Sequence, residues 1–373
     1  MQVEILRFTD GAFPQAAHWN QLLSNSLYAN ALSRTEVLTS FRARFAPKKQ
    51  LVAVVARQSD GRLVAGLPLL MNSDRLFMTT AASVSNEWSQ CGQLLVDRET
   101  NPRFALDCLL DGLAQLNVHS LWLDWVPDDR PEWQLLIDLA QNRGWGCQSN
   151  KKFQVGITRL PASWNEFELS LSRNSRKRVR AELKRLNEAG SLRLQVVSDY
   201  SPIELESALQ TALGIELRSW KGRSGSAIAC QAAVQSYFLD ACLALHSTGN
   251  LRLFLLRLND QAIAFDLGDQ FRDTYRSWKV SYLPDFASYS PGHVLNQLVI
   301  KHFIQEASIK VCDSVGPMTD ANRRWSNDEY RLGRVVLAPG SWLSNAAGRS
   351  LVSTLKLRAA IRGRTESSPQ SSV

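Results

Sequence analysis

The chain is poor in the residue patterns that metals and disulfides require. Its six cysteines, at 91, 108, 147, 230, 242 and 312, are scattered and include no Cys-x-x-Cys pair, which argues against a zinc site and a disulfide framework. The five histidines form no ligand cluster, so no metal is expected. No apolar run approaches the roughly 18–20 residues of a membrane span; the longest, Leu51–Ala56 and Leu63–Met71, read as strands. The start, Met1-Gln-Val-Glu-Ile-Leu-Arg7, lacks a basic-then-apolar leader pattern. A cytoplasmic protein that is not integral to a membrane is the expectation, with peripheral membrane contact left open. Also missing is a phosphate loop rich in glycine.

What is present is enough apolar sequence for a packed core: 45% hydrophobic and 21% charged residues over a length of 373, which suits two domains. The net charge of +8 is concentrated. Arg173–Glu188 holds seven basic and two acidic residues, and Arg349–Arg364 holds five basic and none acidic, so the rest of the chain is slightly acidic. A uniformly basic surface is excluded.

The chain echoes itself. Residues 51–78 (LVAVVARQSDGRLVAGLPLLMNSDRLFM) and 251–278 (LRLFLLRLNDQAIAFDLGDQFRDTYRSW) both read as strand, polar turn, strand, polar turn, strand, with Asp60 and Asp260 at the same point of the first turn. A helix and a further strand are expected after each: Phe104–Leu116 and Ser120–Trp125, then Pro291–Glu306 and Ile309–Asp313. The halves meet near Arg159-Leu-Pro-Ala-Ser163, and helices are expected over Arg173–Ala189, Pro202–Trp220 and Gln231–His246. The polar tail after Gly363 reads as disordered.

Four groups of residues could carry chemistry. In Tyr289-Ser-Pro-Gly-His-Val294, Ser290 fits a helix N-cap and Pro291 the first helical position. The amides of Gly292, His293 and Val294 would then face an anion such as a pyrophosphate, although an ordinary capped helix explains the same residues. In Glu216-Leu-Arg-Ser-Trp-Lys-Gly222, Glu216 lies on the apolar stripe Leu205, Leu209, Ala212, where a carboxylate must be paired or perturbed. Trp220, Lys221 and the glycine-rich segment after them resemble a pocket wall. Lys279 and Tyr282 on one strand, and Asp313 at the end of another, could converge as acid–base groups, or could be scenery. The basic helix Arg173–Ala189 is either a solvated face or a docking surface for an anionic partner; without interleaved aromatics it is a weak single-strand binder.

Taken in order, Leu171-Ser-Arg-Asn-Ser-Arg-Lys-Arg-Val-Arg180, Glu216-Leu-Arg-Ser-Trp-Lys-Gly222, Lys279-Val-Ser-Tyr282, Tyr289-Ser-Pro-Gly292 and Cys312-Asp313 resemble the CelD-like, FemAB-related branch of the GNAT acetyltransferases, most strongly over about 165–330. The resemblance implies an α+β fold of two tandem GNAT-like domains, each a mixed, mostly antiparallel sheet flanked by helices: 1–160, then 161–345 with the donor site, followed by a basic helix and disordered tail over 346–373. It implies an N- or O-acyltransferase of a cell-envelope or exopolysaccharide pathway, using acetyl-CoA or another acyl-CoA and an amine- or hydroxyl-bearing acceptor such as a sugar intermediate. The pyrophosphate would sit at Ser290, Pro291, Gly292, His293 and Val294. Asp313 or Glu216 would take the acceptor proton and Tyr282 would protonate the leaving group, with Trp220, Lys221, Lys279 and Tyr289 binding substrate. FemAB relatives use aminoacyl-tRNA as donor, which makes a tRNA-dependent transferase the alternative. A GNAT module that only binds a partner is the other.

Overall fold

The computed structural model describes residues 1–8, 13–73, 79–90, 94–197 and 200–340. The basic segment and tail expected over 346–373 lie outside the described residues.

The first half runs β1 (Gln2–Arg7), α1 (Ala16–Asn25), α2 (Thr35–Phe45), β2 (Gln50–Arg57), β3 (Leu63–Ser73), β4 (Thr79–Ser83), β5 (Leu95–Val96), α3 (Pro102–Gln115), β6 (Ser120–Val126), α4 (Pro131–Asn142) and β7 (Gly146–Arg159). The second runs α5 (Trp164–Ser170), α6 (Arg173–Ala189), β8 (Leu192–Val197), α7 (Pro202–Arg218), α8 (Trp220–Arg223), α9 (Ala232–His246), β9 (Leu251–Leu258), β10 (Gln261–Phe271), β11 (Thr274–Tyr282), α10 (Pro291–Glu306), β12 (Val311–Pro317), α11 (Asp320–Arg323) and β13 (Asp328–Ala338). The echo in the sequence falls on β2-β3 and on β9-β10-β11; residues 74–78, where its first copy expects a third strand, lie outside the described residues, β4 follows them, and a helix and a strand follow in each half. Left-handed residues make both first turns: Gly61 (φ 89°) after Asp60, and Asn259 and Asp260 (φ 48° and 65°).

Two separate sheets are not what forms. Among the described residues the strands make one sheet in the order β1-β2-β3-β4-β6-β13-β7-β12-β11-β10-β9-β8, with β5 paired to β3. The cause is a reciprocal exchange of final strands. β13, the last strand of the second half, pairs antiparallel with β6 of the first. β7, the last strand of the first half, pairs antiparallel with β12 of the second. β7 and β13 also pair with each other along most of their lengths. Each half thus completes its sheet with the other's strand, and no sheet edge is left at the join.

The helices add a shared core. Trp19 and Leu22 of α1, Phe41 of α2, Leu209 of α7 and Tyr237 and Leu245 of α9 are buried in one cluster, and the Phe41 and Tyr237 rings meet edge-on at 5.9 Å. Ser40 Oγ donates to Asp240 Oδ2 at 2.7 Å, which ties α2 to α9. Among the described residues no single helix is long and apolar enough to cross a membrane.

Candidate active site

The site follows from where two neighbouring strands part. β11 and β12 pair in parallel for three residues only, Thr274 with Val311, Tyr275 with Cys312 and Arg276 with Asp313. Beyond Asp313 the register of β12 against β7 also breaks, and Val315 takes a left-handed φ of 56°, which is unusual for a β-branched residue. This bulge turns β12 away. β11 continues to Tyr282, and the two strands enclose a wedge holding a cavity of about 630 Å³.

Asp266, Tyr275, Ser277 and Cys312 line its narrow end. Asp266 Oδ1 accepts from the Tyr275 hydroxyl at 2.8 Å and from Ser277 Oγ at 2.6 Å. Burial pushes the Asp266 carboxyl up to about 6, the two hydrogen bonds opposing it. Burial, with Asp266 and Asp313 nearby, pushes the Cys312 thiol up far enough to leave it inert as a nucleophile at neutral pH.

Asp313 lines this cavity and also a second one on the opposite face of the sheet. Its Oδ1 accepts from the Val315 amide at 2.8 Å, and the Tyr330 hydroxyl donates to Oδ2 at 3.1 Å. Burial raises its pKa, while Arg276 and these hydrogen bonds work against the rise. The strand containing it starts later than the expected Ile309 and runs past it, so Asp313 sits at the bulge inside β12 rather than at a strand end. Arg276 is itself buried, 4.0 Å from Asp269 Oδ1, and Asp269 is fixed by Trp278 Nε1 at 2.6 Å and the Ala31 amide at 3.3 Å.

The start of α10 borders the same wedge but differs from the expected anion cradle. Ser290 is left-handed (φ 57°), and its side chain makes no cap. Its carbonyl accepts from the amides of His293 at 3.0 Å and Val294 at 3.2 Å, and Pro291 has no N–H. Of the amides expected to meet a pyrophosphate, this leaves that of Gly292. A carboxylate already complements the positive helix end: Glu182 of α6, almost wholly buried, lies 3.2 Å from His293 Nδ1, 2.8 Å from Arg178 Nε and 3.6 Å from Arg324. A side chain at position 292 would lie 3.5 Å from the Tyr282 ring.

Asp313, Tyr282, Trp220, Gly292 and His293 are thus brought together around one cavity. Glu216, Lys221 and Lys279 form a separate group. Glu216 is fully buried; its Oε2 accepts from the Ile228 amide at 2.8 Å, and its Oε1 lies 3.6 Å from Lys221 Nζ. Lys221 also donates to the Val280 carbonyl at 2.8 Å. Lys279 lies 4.1 Å over the Trp88 ring, and burial lowers its ammonium to about 8 against the pull of Glu216. Ser290, Pro291 and Val294 frame the helix start, and Tyr289 packs against the core beneath it. Asp266, Arg276 and Glu182 were not anticipated. Asp266 and Asp269 do leave a trace in the sequence: two acids inside the apolar run Ala262-Ile-Ala-Phe-Asp-Leu-Gly-Asp269, where burial makes a partner obligatory.

The family model described as an acetyltransferase (GNAT) domain matches residues 173–330, the segment that builds this wedge. No curated protein matches the chain significantly in sequence. Among solved structures, FemX is similar over 89% of this chain and 96% of its own, at 14% identity and a TM-score of 0.62. The C-terminal domain of a putative lysylphosphatidylglycerol synthetase from Agrobacterium fabrum is similar over 90% and 95%, at 11% identity and a TM-score of 0.53. L-PGS from Bacillus licheniformis is similar over 96% and 99%, at 14% identity and a TM-score of 0.52. At these identities the likeness is one of fold. The chain has a GNAT/FemX-like architecture, and residues 173–330 in its second half are similar to the acetyltransferase (GNAT) domain model.

Proposed function

We propose that the protein is an acyltransferase that works by direct transfer in the wedge between β11 and β12, and that its donor is an aminoacyl-tRNA rather than an acyl-CoA. The observation that carries the choice of donor is the start of α10, where the Ser290 carbonyl takes the His293 and Val294 amides and Glu182 supplies the negative charge. A pyrophosphate would meet one amide and a resident carboxylate. An RNA carrier needs no such cradle, because it is held through its phosphates by cations spread over a surface. Helix α6 offers them beside the wedge: Arg173, Lys177 and Arg185 are exposed, and among the described residues none has a carboxylate at ion-pair distance. The likeness to FemX, and to a protein whose name describes joining lysine to phosphatidylglycerol, supports an aminoacyl donor.

In this reading the acceptor amine or hydroxyl attacks the ester carbonyl carbon, and the C–N or C–O bond forms as the carbonyl π pair moves to oxygen. Backbone N–H groups of β11 left without a β12 partner polarise that oxygen. Asp313 takes the acceptor proton. The tetrahedral intermediate then expels the tRNA 3′-oxygen, which receives a proton from Tyr282. No covalent enzyme intermediate is needed. Acyl-CoA is the second reading, favoured by the match of residues 173–330 to the acetyltransferase model; the same steps then release a thiol. An envelope or polysaccharide acceptor, in the cytoplasm, is compatible with either.

Filter binding of labelled total aminoacyl-tRNA, beside calorimetric titration with acetyl-CoA, tests the choice. We expect salt-dependent binding of the RNA and none of acetyl-CoA. Tight acetyl-CoA binding that Gly292→Glu abolishes, without RNA binding, would reverse it.

A further inference from the structure

The second cavity, of about 360 Å³, lies across the sheet from the wedge. Strand alternation separates the two: Gly156 and Thr158 of β7 face the first, Ile157 and Arg159 the second. Both halves of the chain build it, with Tyr28, Asn30 and Arg130 from the first and Arg276, Asp313 and Tyr330 from the second.

Its wall holds polar groups that protein packing leaves unanswered. The Arg130 guanidinium lies 5.2 Å from the Tyr28 ring centre and 4.9 Å from that of Tyr330. Among the described residues no carboxylate is at ion-pair distance from it and its side chain donates no hydrogen bond. Two rings hold the cation in place while its in-plane donors remain available, the arrangement that suits bidentate reading of a planar anion. Nearby, Asn30 is 5% exposed, and its Oδ1 is buried with no hydrogen-bond partner. A buried acceptor without a donor is costly, so a ligand that satisfies this wall brings an anion to Arg130 and an N–H or O–H to Asn30. Leu27 and Tyr28 are 55% and 46% exposed, which leaves apolar surface for such a ligand to cover.

We infer that this cavity binds a small carboxylate with a hydrogen-bond donor beside it, the chemistry of an α-amino acid or a peptide C-terminus, through Arg130 and Asn30. This binding does not rest on the transferase reading above.

The test is ligand-observed NMR titration of the full chain with L-alanine, L-alaninamide and inorganic phosphate, with thermal unfolding as the check on folding. Alanine should bind and alaninamide should bind at least tenfold more weakly. Arg130→Gln should weaken alanine at least tenfold, and Arg130→Lys, which keeps charge but loses the fork, by less. Asn30→Leu should weaken alanine while leaving the preference over alaninamide. Equal binding of alanine and alaninamide, no binding of alanine, or phosphate binding in place of alanine would each overturn the assignment. Because no donor is present, the result is independent of whether aminoacyl-tRNA or acyl-CoA is used.

Discussion

Trp125 in β6 and Val315 in β12 stand at equivalent points of the two repeats, each left-handed (φ 58° and 56°) and each two residues before a proline, Pro127 or Pro317. Each strand parts there from its parallel neighbour, β4 or β11. The first repeat is stitched across the gap: Ser83 and Ser85 hydroxyls donate to the Asp124 carbonyl at 3.1 and 2.8 Å, and Ser83 Oγ accepts from the Asp124 amide at 2.9 Å. Among the described residues the second repeat has no such stitch, and its strands enclose the wedge. One repeat is braced at this point, and the other is open to a cavity.

Val315→Gly tests the bulge. A left-handed conformation costs a non-glycine residue roughly 1–2 kcal/mol, and losing the buried Val side chain costs a comparable amount or more. The two offset, so denaturant unfolding should show a loss below about 1 kcal/mol. A loss above about 3 kcal/mol would mean the backbone there is not strained.

Asp313→Asn tests the base. Turnover should fall roughly 10²- to 10⁴-fold with donor binding nearly intact. Since burial raises the Asp313 pKa, the wild-type rate should climb with pH through a limb above the usual carboxylate range, and the variant should lose that limb. Wild-type turnover in a stable variant would leave Asp313 as a brace for Tyr330 and Val315.

Asp266 should make itself felt in stability. Its folded pKa of about 6 lies above the roughly 3.9 of an unfolded aspartate. The folded state therefore holds the proton more tightly, and stability falls as pH rises from about 4 to 6, by on the order of 2–3 kcal/mol. Asp266→Asn should flatten this dependence in thermal unfolding. An unchanged pH profile would show that Asp266 ionises normally.

The meander and its helices were legible because each depends on local pattern: apolar alternation, Asp-Gly and Asn-Asp turns, and Pro291 at a helix start. The single sheet was not, since the expected strands end at Trp125 and Asp313, β7 and β13 lie beyond them, and nothing local says that each pairs across to the other half. At the site, Gly292, Trp220, Tyr282 and Asp313 could be picked out by type and position. The left-handed Ser290, which turns a cap into a closed carbonyl acceptor, could not be, because serine at that point reads as an N-cap. Nor could the meeting of Glu182 with His293, 111 residues apart, which only tertiary packing creates.

The cationic face of α6 gives a salt test. Changing Arg173, Lys177 and Arg185 together to Gln should lower the slope of log affinity against log salt for aminoacyl-tRNA by about two to three. An unchanged slope would place the RNA on another surface.

Hydrogen exchange of the full chain, alone and with saturating aminoacyl-tRNA or acetyl-CoA, tests the central claim most directly. Aminoacyl-tRNA should protect the amides of residues 277–282 of β11 and 314–316 of β12, and acetyl-CoA should leave them unchanged. Protection by acetyl-CoA alone would keep the wedge and change the carrier; no protection there with either donor would contradict the account.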